Sequence, residues 1–308
     1  MKRREFIISS AALSTATLLK PATVFSKEAK KKPLRVAHLS DMHLKPGKEI
    51  EAAVARAMQH AQQISPKVDF IINGGDAIMD ALEADKQKTQ IQWDLLTAML
   101  KNEISLPVYH CIGNHDVWGW FVKENKPVDE RQYGKVWAIE TLNLKNRYYS
   151  FSKDYWHFIV LDSTQLNPAG GYIGKLDEEQ LTWLQTELAS VVKEKFICII
   201  SHIPILSVCA GLFFNKTEEN GDLKIQRNLM HTDFLSLKKI FQKFSNIKVC
   251  ISGHIHLQDE VNYLGIKYYC NGAVSGNWWN GSFQEFAPAY ALLEFHDDGR
   301  CNRTMINY

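Results

Sequence analysis

An α/β fold is what this 308-residue sequence predicts, and three observations predict it. Short apolar runs bounded by Gly, Asp or Asn recur along the chain. Stretches of helical length lie between them, and two late segments have the form of hairpins.

The strands come first. LRVAHLS (34–40), VDFIING (68–74), LPVYHCIG (106–113), FIVLDS (158–163), FICIISH (196–202) and IKVCISGH (247–254) each read as a buried strand, because they are apolar throughout rather than alternating. Helices are predicted at Glu49–Gln63, Asp85–Lys101, Asp177–Ala189 and Asp233–Phe244. The third has the fullest start signal. Asp177 stands at the cap, Gln180 three residues on as in a capping box, and Leu176 where a hydrophobic staple belongs; Leu181, Leu184 and Leu188 then mark one apolar face. Toward the C-terminus DEVNYLGIKYYCNG predicts a hairpin turning at Leu264-Gly265, and FHDDGRC another at Asp298-Gly299.

The first residues stand apart from this core. Lys2, Arg3 and Arg4 precede an apolar run from Phe6 to Leu19, too short for the roughly 20 residues of a membrane span. Lys20-Pro21 closes the run, and Val24-Phe25-Ser26 offers a peptidase site. Charged, apolar and cleavage regions in that order predict an export signal over 1–26, and Arg3-Arg4-Glu5-Phe6 resembles the twin-arginine type. An ordinary secretory signal or an uncleaved anchor are the alternatives. The expected organisation is a leader over 1–26, a basic linker over 27–32 and a single domain over 33–308, with the twin-arginine export machinery as partner and a periplasmic or extracellular destination. No stable membrane span is expected in the mature chain.

Apolar content of 45% and charged content of 23% are ordinary for a globular protein. The formal charge is +2, and loss of the leader removes four basic residues and one acidic, leaving about −1. Nothing in that balance calls for nucleic acid. Six cysteines (111, 198, 209, 250, 270 and 301) include no C-x-x-C; most read as buried free thiols, with one bridge open among Cys209, Cys270 and Cys301.

The strand ends carry the chemistry. LRVAHLS leads to Asp41-Met42-His43, VDFIING to Gly75-Asp76, LPVYHCI to Gly113-Asn114-His115-Asp116, FICII to Ser201-His202 and IKVCIS to Gly253-His254-Ile255-His256. Ligands of open α/β sheets bind outside the carboxyl ends of strands, so these side chains are predicted to converge. Carboxylate, amide oxygen and imidazole without thiolate suit Mn, Fe, Co or Zn. Seven donors exceed the needs of one small ion and suit two that share one, the arrangement that clamps the attacking and leaving oxygens of a phosphoryl displacement. Gly75, Gly113 and Gly253 are expected to let the backbone turn and to keep bulk away from the site.

These motifs, in this order, resemble the calcineurin-like metallophosphoesterases: D-x-H, G-D, G-N-H-D/E, a lone His and G-H-x-H, spanning Asp41 to His256. The resemblance implies two facing mixed β-sheets flanked by helices, a four-layer α/β/β/α sandwich. It implies that Asp41, His43 and His256 hold one metal, that Asn114, His202 and His254 hold the other, and that Asp76 bridges both. A water or hydroxide bridging the metals would be the nucleophile. His115 would face the leaving group, and Asp116 would orient the ring of His115 or cap the following segment. The purple branch of these enzymes carries tyrosine three residues after the bridging aspartate; Met79 stands there in this chain, which argues against that branch.

Trp118, Trp278 and Trp279 lie in or near the motif loops as candidates for a substrate platform, with packing as the alternative, and Asn277 lies within reach of substrate or in a turn. His38 and His110, inside strands that feed the site, read as hydrogen-bonded core residues. Residues 213–230 read as a surface excursion that overhangs the pocket. The expected activity is metal-dependent hydrolysis of a small-molecule phosphoester, tilted toward diesters because only Lys45 supplies a cation beside a motif. The alternatives are a phosphomonoesterase or pyrophosphatase, and a catalytically silent binding scaffold.

Overall fold

Parallel strands buried on both faces need apolar side chains on both, and the apolar runs supply them. The computed structural model describes residues 31–122, 126–214 and 216–308. The expected leader and the linker as far as Lys30 lie outside the described residues. Following the chain, β1 (Leu34–Leu39), α1 (Lys48–Gln63), β2 (Phe70–Asn73), α2 (Lys86–Glu103) and β3 (Val108–His110) form a parallel βαβαβ unit. Then come α3 (Val136–Thr141), β4 (Tyr149–Lys153), β5 (Trp156–Val160), the small hairpin β6 (Thr164–Leu166) and β7 (Tyr172–Gly174), α4 (Glu178–Ser190) and β8 (Phe196–Ile200). The rest is α5 (Val208–Leu212), a second small hairpin of β9 (Lys216–Thr217) and β10 (Leu223–Lys224), α6 (Phe234–Phe241), β11 (Ile247–Ser252), β12 (Gln258–Tyr263), β13 (Ile266–Asn271), β14 (Tyr290–Phe295) and β15 (Cys301–Ile306).

Two mixed sheets result. The first has the order β15-β14-β1-β2-β3, the second β12-β13-β11-β8-β5-β4. Their inner faces meet in an apolar layer that takes Val36, Phe70 and Phe295 from the first sheet and Phe158, Ile200 and Val249 from the second. On the outer face of the first sheet α1 and α2 bury Val54, Met58, Trp93 and Leu96; on that of the second α4 and α6 bury Leu184, Leu188, Leu237 and Phe241. This is the expected α/β/β/α sandwich. Because β1, β2 and β3 are parallel, and β5, β8 and β11 are parallel, the carboxyl ends of each set lie along one edge of their sheet.

Local chemistry explains the elements. Asp85 and Asp177 cap α2 and α4, accepting from the amides of Lys88 (2.9 Å) and Gln180 (3.0 Å). The capping box of α4 stays half-made. The Gln180 side chain turns to the sheet instead, accepting from Asp162 N at 2.8 Å and donating to Asp162 O at 2.9 Å. The late hairpins form as predicted: Leu264 (φ 53°) and Gly265 (φ 80°) join β12 to β13, and Gly299 (φ 85°) lies between β14 and β15. Helix α6 is shorter than expected and ends at Phe241, while the Asp233 carboxylate bonds His231 and Leu176 N rather than capping it. All six cysteines are buried free thiols, so the possible bridge among Cys209, Cys270 and Cys301 does not form. Among the described residues no helix is long and apolar enough to cross a membrane.

Candidate active site

Three of the five motif loops, those after β1, β2 and β11, leave their strands through left-handed residues. Asp41, His43, Asp76, His254 and His256 all have positive φ, between 44° and 73°. Asp and His are among the non-glycine residues that enter this region with some frequency, at a cost of order 1–3 kcal/mol each. Loop-to-loop hydrogen bonds hold them there: Asp41 N to Gly75 O, His43 N to Asp76 O and Ser275 N to Asp41 O, each 3.0–3.1 Å. The glycines therefore do less turning than expected. Gly75 has φ 95°, but Gly113 and Gly253 are needed for proximity, since a Cβ at Gly113 would sit in the Asp76 carboxylate and one at Gly253 in the side chains of Ser40 and Asp41.

The side chains then meet. Donor atoms of Asp41, His43 and His256 lie within 4.8 Å of one another, as do those of Asp76, His202 and His254, and those of His43, Asp76 and His115. Asp76 Oδ2 is 3.7 Å from His43 Nε2 and 3.2 Å from His202 Nε2, so one carboxylate stands between the two outer groups. His115 N donates to Asp76 Oδ1 at 2.7 Å, and the His115 ring stands edge-on to His43 at 4.8 Å.

Backbone carbonyls select the imidazole tautomers. His202 Nδ1 donates to Gly74 O (2.9 Å), His256 Nδ1 to Gly276 O (2.5 Å) and His254 Nε2 to Asn228 O (2.7 Å). Each ring thereby turns its other nitrogen inward, where the neutral imidazole offers a lone pair. His256 Nε2 faces His43 Nε2 at 3.0 Å and Asp41 Oδ1 at 3.5 Å, and His254 Nδ1 faces His202 Nε2 at 3.2 Å. Among the described residues the buried Asn114 Oδ1 has no hydrogen-bond partner, and neither has His43 Nδ1. Ring nitrogens and carboxylates turned toward one another, with an orphaned amide oxygen beside them, fit bound cations.

Charge states agree. Burial would raise the Asp41 carboxyl, but the neighbouring imidazoles of His256 and His202 outweigh that and hold it well below the usual range. Burial likewise opposes ionisation of Asp76, yet the fields of His202 and His115 keep it well below normal. Burial lowers His43 far and His254 to about 4, so both are neutral, as ligands must be. His202 is the exception. Burial lowers it, but the Asp76 carboxylate overrides that and raises it to about 9, so a proton fills the place a cation would take.

Four expected site residues serve elsewhere. The Asp116 carboxylate accepts from Gly113 N (2.9 Å), Ala77 N (2.9 Å) and Ile78 N (3.3 Å); the His115 ring is not among its partners. It ties the second and third motif loops together, and burial followed by the Asp76 charge pushes its carboxyl up to about 6. Trp118 is core, 2% exposed, edge-on to Trp137 and donating to Ala84 O, so it forms no platform. Trp278 does line the site, stacked on His256 at 4.1 Å and 5.9 Å from His43. Trp279 donates to His43 O at 3.0 Å and packs on the core beneath. Asn277 N bonds Gly281 O, which is turn chemistry. Sequence reading missed Ser40, which donates to Asp41 Oδ2 at 2.5 Å, and the carbonyls of Gly74, Asn228 and Gly276. Ser40 adjoins a motif and was open to inspection; a carbonyl carries no residue-type signal. Tyr172 was missed too, its ring 6.2 Å from that of His254.

A cation nest of carboxylate, amide and imidazole, built where parallel strands end in two facing sheets, defines a metal-dependent hydrolase. Residues 34–258 match the calcineurin-like phosphoesterase family, and the chain belongs to it; it is a metal-dependent phosphoesterase. It is 23% identical over 281 residues to a 3',5'-cyclic-nucleotide phosphodiesterase of Nostoc sp., covering 87% of this chain and 90% of that one. It is 22% identical over 286 residues to the 3',5'-cyclic adenosine monophosphate phosphodiesterase CpdA of Haemophilus influenzae, covering 89% and 90%. A dimetal phosphatase from Danio rerio shares the fold at a TM-score of 0.59 and 14% identity, over 90% of this chain and all of that one.

Proposed function

We propose that this protein hydrolyses phosphate diesters at a two-cation centre, with Asp41, His43 and His256 holding one cation, Asn114, His202 and His254 the other, and Asp76 shared. The observation that carries the reading is the shared carboxylate, Asp76, standing between two groups of donors. Mn, Fe, Co and Zn all suit this donor set. Cations held there supply positive charge to the phosphoryl oxygens and lower the pKa of a coordinated water toward neutrality.

The chain supplies the rest. The tautomers fixed by Gly74, Asn228 and Gly276 keep the donors aimed before any cation arrives. His115 is half-buried, and its buried Nδ1 has no hydrogen-bond partner among the described residues. It is free to give a proton to the leaving oxygen, while its backbone amide steadies Asp76. Trp278 offers an aromatic wall beside His256 for an apolar or heterocyclic ester group. A diester presents a single negative charge at the reacting phosphorus, which suits a centre where Lys45 is the one cation adjoining a motif. The relatives named for cyclic nucleotides act on internal diesters of that kind.

The test is an assay of the mature protein with a bis-aryl and a mono-aryl phosphate, with added Mn, Fe, Co or Zn and with chelator. Diester turnover is expected, abolished by chelation. His115→Ala should retain both metals by elemental analysis and lose about 10²–10⁴ in kcat. Full activity in that variant sinks the role given to His115, and no turnover of any ester with any metal sinks the catalytic reading.

We place this activity outside the cytoplasm on the leader sequence alone. Arg3→Lys together with Arg4→Lys should leave the enzyme active in the cytoplasmic fraction and absent from the periplasm. Undiminished export of that double variant excludes the twin-arginine route.

A further inference from the structure

The excursion after β8 returns to the site at Asn228, whose carbonyl accepts from His254 Nε2. Between this excursion and β7 lies a cleft of about 480 Å³, lined by Phe121, Tyr172, Lys216, Lys224, Arg227 and Asn228. Its volume falls in the range of small-molecule sites, about 300–1,000 Å³. One wall is aromatic: Phe121 and Tyr172 stack at 5.9 Å and 22°, and Tyr172 meets the His254 ring. The other wall is cationic. Arg227 is pinned by Nη2 donating to Gly170 O at 2.7 Å, and its own carbonyl accepts from Gly174 N. Lys224 pairs with Glu218 at 3.5 Å on the exposed face; a pair of that kind contributes little and yields readily to a better anion. The remaining acids of the hairpin, Glu219 and Asp222, fall in its turn, outside the cleft lining.

A cyclic mononucleotide brings one charge, and that charge is used at the cation centre. A second anion-binding wall beside an aromatic pair therefore fits a substrate that has more to offer. We propose that this cleft is a subsite for the part of the diester beyond the scissile phosphorus, and that this part carries an aromatic base and a further phosphate, as in a dinucleotide with a terminal phosphate. The inference rests on the diester reading above and names its substrate class.

The experiment compares a dinucleotide phosphodiester with and without a terminal 5′-phosphate. Equilibrium binding is measured by calorimetry on chelator-treated protein, where no turnover occurs, and kcat/KM on the metal-loaded enzyme. The terminal phosphate should tighten binding at least tenfold and raise kcat/KM by a similar factor. Both gains should vanish in the variant combining Lys216→Ala, Lys224→Ala and Arg227→Ala, which should keep its melting temperature and hydrolyse a bis-aryl phosphate within twofold of the parent. Equal binding of the two dinucleotides by the parent protein, or a gain that persists in the triple variant, overturns the subsite. Binding that prefers the phosphorylated dinucleotide, in a protein that hydrolyses no diester, overturns the catalytic reading and leaves the subsite standing.

Discussion

Asp116 is a carboxylate that serves the site without facing it. Its two oxygens accept three amide N–H groups, from Gly113, Ala77 and Ile78, in a place with no solvent exposure. Asp116→Asn keeps the shape but replaces one acceptor by a donor, which then confronts a buried N–H. Each buried group left unpaired costs about 1–3 kcal/mol, so a loss of about 2–4 kcal/mol is expected in denaturant unfolding. Metal affinity should fall with it, because Asp76 and Asn114 sit on the loops that Asp116 joins. The pH dependence of kcat should stay where it was. A shifted pH profile at unchanged stability returns Asp116 to the role of orienting His115. That a polar cluster ends the third strand was legible from Asn114-His115-Asp116; which atom each residue addresses was not, because two of the partners of Asp116 are amides on a loop 38 or 39 positions away.

At the scale of elements, the strands feeding the site carry their own braces. Asn73, the last residue of β2, accepts from Gly75 N at 3.2 Å, which fixes its amide and turns its Nδ2 onto His110 Nδ1 at 3.1 Å. His110 is thereby an acceptor and neutral. Burial lowers it to about 4, and burial likewise lowers His38, which accepts from Asn271. The imidazole of the unfolded chain titrates near 6.5. Between 6.5 and 4 the unfolded state thus holds the additional proton, and stability falls as pH falls. His110→Gln keeps an acceptor for Asn73 and removes the titration. Chelator-treated protein unfolded in denaturant at several pH values from 6.5 to 4.5 should show a slope shallower by up to about 1.4 kcal/mol per pH unit in the variant. Identical slopes would mean that His110 already carries its proton in the folded protein. The buried strands and long helices of this frame were legible because their apolar runs and caps act locally. The hairpins β4–β5, β6–β7 and β9–β10 were not: β9 and β10 are two residues each and exposed, and β4 pairs with β5 through a tight turn in which Asp154 takes φ 47° without a glycine to announce it.

On the scale of the whole molecule, the donors divide between the sheets. Asp41, His43, Asp76 and Asn114 follow strands of the first sheet, and His202, His254 and His256 follow strands of the second. Sequence order could list all seven, but only the apolar layer of Phe70, Phe158, Ile200 and Phe295 brings the two edges to one distance. Under the two-cation reading proposed above, cations bound there would fasten one sheet to the other, and a ligand that binds only the folded chain stabilises it by RT ln(1 + [L]/Kd), about 4 kcal/mol at a thousandfold excess over Kd. Metal-loaded protein should therefore melt on the order of 10 °C above chelator-treated protein. The variants separate the two places. His202→Ala removes a donor from one cation only and should keep roughly half of the metal-dependent shift, taking each cation as an equal contributor. Asp76→Ala removes the donor that the proposed centre assigns to both cations and should lose nearly all of it. An Asp76→Ala protein that keeps the same half as His202→Ala would show that the two cations do not share a carboxylate, and the bridged centre would give way to two independent sites.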